Sequence, residues 1–321
     1  MWKYIVRRLL QMIPIIIGVS IIIFFIISLV PGNFIDAKAS TMHMSKEQIA
    51  HLKDLYGIND PIHIRYFKWI SGAIHGDFGD SFAHQIPVST VIGTYVWNSF
   101  SIALIAFILQ LVIAIPIGII SATKQYSKTD MFFTVFALMG ISLPSFFSGY
   151  VLIKVFSVNL KILPLAGLST PGANYTGMAF LLDKFSHMIL PCIVLALLGI
   201  GSMMRYTRTA VLEIIKQDYI RTARAKGLSE KVVIYKHALR NALIPIVTLI
   251  GLSLPTLFSG AIITESVFGL PGIGKIALDS VVKRDYPLLM GFSMFVAVLT
   301  LLGNLLSDFL YAAVDPRVKL K

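Results

Sequence analysis

Uncharged stretches of at least 20 residues constrain this chain more than any other feature, and six of them read as spans. They cover residues 9–35, 85–123 (with an apolar core at 98–121), 131–153, 185–204, 241–264 and 286–307. At 1.5 Å of rise per residue, 20 helical residues cross the roughly 30 Å of a bilayer's hydrocarbon core. Charged residues make up 14% of the chain, against about 25% in a soluble domain. A disordered chain, a coiled coil and an ordinary soluble enzyme are thereby excluded. The expectation is an all-α polytopic membrane protein with six transmembrane helices. A seventh uncharged stretch, 162–182, is read as a loop, because Pro164, Gly167, Pro171, Gly172 and Gly177 punctuate it. The single cysteine, Cys192, excludes an intrachain disulfide framework and a cysteine-based zinc cluster. The first span is too long and apolar for a cleaved signal and ends on Leu29-Val30-Pro31-Gly32, so it is expected to remain as an anchor.

Charge predicts the orientation. With the N-terminus in the cytoplasm, the inside segments hold 17 basic and 5 acidic residues. The outside segments hold 10 of each when Lys154 and Asp308, which fall at span edges, are left out. Lys and Arg collect on the cytoplasmic side of short loops, so both termini are expected inside. The net charge of +12 then faces anionic lipid, and nucleic acid is not needed to explain it. The expected organisation is an N-terminal segment and first span (1–30), an extracytoplasmic loop with short helices (31–97), a five-helix core (98–311) and a cytoplasmic tail (312–321). Within the core lie a cytoplasmic loop (205–241) and an external loop (265–286).

The first external loop has its own helix signals. Ser45 stands three residues before Gln48, the spacing of a reciprocal cap, and Gly57 and Pro61 close that helix. Residues 64–74 set Tyr66, Phe67 and Trp69 among Arg65 and Lys68, as an interfacial helix does. This element either caps the bundle or has a sharper role, docking a partner or lining the entrance.

The cytoplasmic loop predicts a short helix, a stop at Gly227 and a second helix, started by Ser229, that runs into the fifth span. Ala223 and Ala225 keep the first helix slim, which suits insertion into a groove of a partner. The alternative is a basic amphipathic loop resting on lipid. Neither GxxxxGK[ST] nor GxGxxG occurs, so the driving energy comes from another chain or an ion gradient. Ion coupling is disfavoured because the spans lack buried carboxylates apart from edge groups such as Asp308. An intramembrane metalloenzyme is disfavoured too: His187 is isolated, and Asn241 fills the position four residues after His237. In the last external loop Pro271-Gly272 fixes a turn. Glu265, at the outer edge of the fifth span, needs a partner, for which Lys275 or Arg284 is available, or else a ligand. Pro14, Pro116, Pro144, Pro191, Pro245 and Pro255 permit kinks in or beside the spans.

Asp218-Tyr-Ile-Arg-Thr-Ala-Arg-Ala-Lys-Gly227 and His237-Ala-Leu-Arg-Asn-Ala242 closely resemble the coupling loop of the dipeptide/oligopeptide/nickel permeases of ABC importers. The likeness is to the first of their two paired permease subunits. On the wider E-A-A-x-x-x-G pattern, Arg221, Thr222 and Ala223 take the first three places and Gly227 the last. Gly76-Asp-Phe-Gly-Asp-Ser81, Glu265-Ser-Val-Phe-Gly-Leu-Pro-Gly-Ile-Gly274, Arg284-Asp-Tyr-Pro287 and Asp315-Pro-Arg317 match further family motifs. The acidic residue usual after Pro31-Gly32 is replaced by Asn33-Phe34. The resemblance implies a type I importer fold and a heteromeric assembly. Its other members are a sister permease, two cytoplasmic ATPase subunits that carry ATP and Mg, and an extracytoplasmic binding protein. It implies no catalytic residue, cofactor or metal in this chain. It places Asp218, Arg221, Ala223, Arg224, Lys226, Gly227, His237, Arg240 and Asn241 at the ATPase contact. Glu265, Pro271, Gly272, Lys275, Arg284 and Asp285 become external gate or structural residues. The implied substrate is a peptide, with nickel or a metal chelate as the alternative and a non-transporting scaffold as a further one.

Overall fold

A computed structural model of the chain describes residues 2–314 except 31, 33, 34, 36–38, 40–43, 56 and 58. The Asp315-Pro316-Arg317 match, the tail beyond 314 and the Asn33-Phe34 departure lie outside the described residues. All of the extended secondary structure described is helical. Helix α1 spans Trp2–Ser28, followed by α2 (Lys46–Leu55) and α3 (Ile62–Ile74). Then come α4 (Val88–Thr123), α5 (Lys128–Ser142), α6 (Ser145–Leu152) and α7 (Gly177–Ile215). The last part holds α8 (Asp218–Ala225), α9 (Glu230–Val232), α10 (Leu239–Ser253), α11 (Ile262–Val267), α12 (Ile273–Lys283) and α13 (Tyr286–Val314).

Among the described residues five helical segments are long and apolar enough to span, and a sixth crossing requires α5 and α6 to act together. The expected uninterrupted third span is corrected here. α5 stops at Ser142, and a bend of 102° separates it from Ser145–Asn159. Leu143 is extended (φ −80°, ψ 126°) because Pro144 disfavours helical backbone in the residue before it. A π-helical turn, Ile153–Asn159, then carries the chain toward the loop. The expected 162–182 loop is shorter: residues 177–182 form the first turns of α7. The fifth span also breaks. α10 gives way to a 3-10 turn at Pro255–Phe258, and Gly260 adopts φ +76° before α11. The first span is shifted, ending at Ser28 rather than residue 35, with the left-handed Gly32 just beyond.

Helix α7 is the centre of the bundle. In its most apolar window 61% of residues are buried, against 17% for α1, which lies at the periphery. Ala114, Ala137, Ala196, Ile200, Met203, Met204 and Ile246 join α4, α5, α7 and α10 in one core. Close approach needs small residues, since lipid supplies no hydrophobic drive between helices. A Cβ on Gly118 would stand 2.6 Å from Thr207 Cβ, and one on Gly140 would stand 2.8 Å from the Leu197 carbonyl oxygen. Large apolar side chains such as Ile22, Val112, Phe132 and Phe147 remain exposed on the flanks, ready for lipid or another chain. The reciprocal cap expected at Ser45 is formed: Gln48 N–H donates to Ser45 Oγ (3.2 Å) and Ser45 N–H to Gln48 Oε1 (2.9 Å).

Candidate functional site

The segment 218–241 folds back on itself as a compact unit. α8 ends at the left-handed Gly227 (φ +76°), and α9 leads through a π-helical turn, Val233–Ala238, into α10. Ser229 occupies the position before α9, but its side chain makes no capping bond. Ile220, Ala223, Val233 and Ala238 form a small core of their own beneath α8. Of the two small residues expected to keep the helix slim, Ala223 is 8% exposed and packs inward, and Ala225 is exposed. Two polar ties hold the unit. Arg224 donates from Nε and a terminal nitrogen to the two Glu230 oxygens (3.0 and 2.7 Å), which raises the Arg224 pKa above its ordinary value. Asn241 Nδ2 donates to the Tyr219 hydroxyl at 2.9 Å. The outward face is polar: the Asp218 and Arg221 side chains are 95% and 83% exposed, and Lys226 and Arg240 are exposed as well. His237 is half-buried on the π-helical turn.

An ion pair that sequence reasoning missed, with a buried carboxylate and a half-buried guanidinium, ties the neighbouring helices together. Arg208 on α7 donates from Nε (3.0 Å) and a terminal nitrogen (2.9 Å) to the Asp130 carboxylate on α5. Ser121 of α4 and the Tyr126 amide donate to the same carboxylate. Three helices thus meet on one charge. Nothing in the residue pattern links positions 78 apart in the chain, so only the fold reveals the pair.

At the opposite end, family-like motifs distant in sequence converge. Asp285 is fully buried and accepts from Ser81 Oγ (2.5 Å), Phe82 N–H (3.1 Å) and Ala83 N–H (3.0 Å). It therefore pins the 76–81 loop to the start of α13. Arg284 takes a left-handed backbone (φ +57°) at the end of α12, and its guanidinium lies against Gly32. Tyr286 donates its hydroxyl to the Gly32 carbonyl at 2.7 Å.

Of the two partners expected for Glu265, Lys275 meets it, but through the backbone amide and not the side chain. Glu265 is 3% exposed, and among the described residues no salt bridge reaches it. Its carboxylate accepts from Ser99 Oγ (2.7 Å), Ala261 N–H (3.0 Å) and the backbone N–H of Lys275 (2.8 Å). Ser99 Oγ in turn accepts from Ile273 N–H at 2.8 Å. The carboxylate therefore caps the start of α12, where free amides and the helix dipole favour negative charge. The Pro271-Gly272-Ile-Gly274 turn makes room for it, since a Cβ on Gly274 would lie 3.0 Å from Glu265 Oε2. The Pro271 carbonyl accepts from Asn98 Nδ2 at 2.9 Å, tying the turn to α4.

The isolated His187 is buried, with Nδ1 2.8 Å from the Asp183 carbonyl one turn earlier. Among the described residues no group of three or more His, Cys, Asp or Glu is arranged to hold a metal.

Residues 114–320 match the family model described as the binding-protein-dependent transport system inner membrane component. Residues 1–103 match the model of that family's N-terminal part. The chain belongs to this family. It is thus a multi-pass inner-membrane transport component of the ABC permease kind. Across 99% of its length it is 41% identical to the oligopeptide transport system permease protein AppB of Bacillus subtilis (strain 168), all of which is covered. Over its full length it is 37% identical to the dipeptide transport system permease protein DppB of Escherichia coli (strain K12), also covered completely. The fold resembles that of a chain in an inward-facing MetNI methionine ABC transporter, with a TM-score of 0.53 and 17% identity. That likeness covers 70% of this chain and 96% of the other.

Proposed function

We propose that this chain is one of two permease subunits of an ATP-driven importer that passes peptides from an extracytoplasmic binding protein into the cytoplasm. The substrate class follows from the peptide permeases it is similar to along its whole length. The observation that carries the mechanism is the 218–241 unit, a rigid knob with its own core and a charged outer face. In this reading Asp218, Arg221 and Lys226 meet a groove on an ATPase subunit, with Arg240 at the edge. Ala223, Gly227, Arg224 and Asn241 hold the knob's shape. His237 lies at its junction with α10. Motion of the ATPases tilts the knob, and Ile214 and Ile215, packed on its core, carry the tilt into α7. α10 carries it toward the break at 254–261.

A cytoplasmic location for both termini and for the knob follows the charge asymmetry. The pairing of Arg8 with Asp308 supports it by bringing the start of α1 beside the later part of α13. The division into 1–30, 31–97, 98–311 and 312–321 follows from that topology. Glu265, Asp285 and Arg284, with the Pro271-Gly272 turn and Lys275, act as an external brace that keeps the outer ends of the helices in register. A sister permease, two ATPases and surrounding lipid complete the assembly.

Co-expression of a tagged chain with the neighbouring genes and purification in mild detergent tests this reading. Recovery of a second permease and ATPase subunits, with ATP-dependent accumulation of labelled peptide in sealed vesicles, is expected. Accumulation of nickel or a metal chelate instead would replace the substrate. Partner binding without any accumulation would make the chain a scaffold.

A further inference from the structure

A cavity of about 540 Å³ opens between the end of α1, helix α3, the 76–82 loop and the start of α13. Its floor is apolar, with Ile27 and Met290 from the two spans, and its rim is charged, with Arg65, Lys68 and Asp77. The indole Nε1 of Trp69, which also lines it, is buried and has no hydrogen-bond partner among the described residues. An orphaned buried donor is costly, so a donor at a cavity wall points to an acceptor that belongs there. The Arg65 guanidinium likewise has no acidic or hydrogen-bond partner among the described residues, whereas Lys68 is taken by Asp60 at 2.6 Å. Asp77 offers the opposite charge: one of its oxygens accepts from Gly79 N–H (2.8 Å) and the other is without a partner among the described residues. The cavity thus presents two donors for an anion and one acceptor for a cation.

Its position identifies the source of such a ligand. Tyr66 and Trp69 of α3 pack on Phe24 of α1, with ring centroids 5.4 and 5.6 Å apart. The same helix leaves Phe67 and Ile74 exposed. A helix with aromatic residues, charges and an uncovered apolar edge, resting on the end of a span, sits at the level of the lipid head groups.

We propose that this cavity binds the head group of an aminophospholipid from the outer leaflet. The phosphate accepts from Trp69 Nε1 and Arg65, the ammonium donates to Asp77, and an acyl chain lies along Ile27 and Met290. The site rests on the topology given above, with α3 on the extracytoplasmic side. Bound there, the lipid joins α1 to the 76–82 loop and so to Asp285.

Native mass spectrometry of the delipidated complex tests this, with phosphatidylethanolamine, phosphatidylcholine and phosphatidylglycerol added separately. Phosphatidylethanolamine is expected to be retained most strongly, because phosphatidylcholine has no ammonium hydrogens and phosphatidylglycerol has no cation for Asp77. Arg65→Gln and Trp69→Phe should each weaken retention by about tenfold, the scale of one charge-assisted hydrogen bond. Trp69→Phe keeps the ring packed on Phe24, so an unchanged melting profile separates lost binding from lost fold. Equal retention of the three lipids, or variants that bind like the wild type, would overturn the proposal. Displacement of the lipid by a peptide substrate would overturn it also and make the cavity a substrate site. Labelling of S71C with a membrane-impermeant thiol reagent checks the topology independently. Reaction only from the cytoplasmic face would refute the orientation itself, whereas reaction from outside with no lipid preference refutes the lipid site alone.

Discussion

Replacing Glu265 separates a carboxylate cap from an ion pair. In Glu265→Ala, one buried and two half-buried donors lose their acceptor: Ser99 Oγ, Ala261 N–H and Lys275 N–H. At about 1–3 kcal/mol for each unsatisfied group, and allowing for coupling between neighbours, the loss is about 3–6 kcal/mol. That is a large share of the roughly 5–15 kcal/mol that holds a typical native state. Glu265→Gln keeps one oxygen for Ser99 and Ala261 but turns an amide N–H toward the Lys275 N–H. It also removes the charge at the start of α12, so it should cost about 1–3 kcal/mol. Lys275→Ala should cost less than about 0.5 kcal/mol, because the contact is made by the backbone that alanine retains. Unfolding of the purified chain in mixed micelles by SDS titration measures all three. Hydrogen exchange over 272–283 reports locally, with a tenfold faster rate for each 1.4 kcal/mol or so of lost protection. A Glu265→Ala chain as stable as the wild type, or a Lys275→Ala chain as weak as Glu265→Ala, would refute the cap.

Asp285→Ala should release the 76–87 loop, at a cost of about 2–4 kcal/mol for the stranded Ser81, Phe82 and Ala83 donors, seen as faster limited proteolysis in that loop. Arg208→Ala leaves the Asp130 carboxylate buried without its counter-charge and should cost about 3–5 kcal/mol, while the Asp130→Ala/Arg208→Ala double variant recovers part of it, measured by the same SDS titration. Arg221→Glu and Ala223→Leu should fail in opposite ways. The exposed Arg221→Glu should stay within about 0.5 kcal/mol of wild-type stability while ATPase recovery in pull-down collapses. Ala223→Leu overpacks the small core against Val233 and Ala238 and should destabilise the chain by about 1–3 kcal/mol.

Features that depend on periodicity or local chemistry were legible in the sequence. The spans, the charge asymmetry, the Ser45–Gln48 cap and the helix-glycine-helix form of 218–241 depend on near neighbours, and the chain prints those directly. The 102° break was half legible: Pro144 was visible, but whether a proline kinks a span or ends it depends on what surrounds the freed backbone. The inward turn of Ala223 was hidden, because a small residue suits either face of a short helix. Glu265 was correctly picked as needing a partner, yet its partners proved to be two main-chain amides, which carry no letter in a sequence, and the hydroxyl of the distant Ser99. Asp130 with Arg208 and Asp285 with Ser81 join residues far apart in the chain, and only the packed helices bring them together.

ATP-dependent uptake of a labelled peptide into sealed vesicles holding the reconstituted complex is the most direct test of the central claim. Wild-type chain is compared with one in which the outer face of the knob is reversed, Asp218→Arg with Arg221→Glu. Accumulation is expected with the wild type and none with the variant, although both chains insert and unfold alike. Undiminished uptake by the variant would contradict the claim that this face couples ATP to transport.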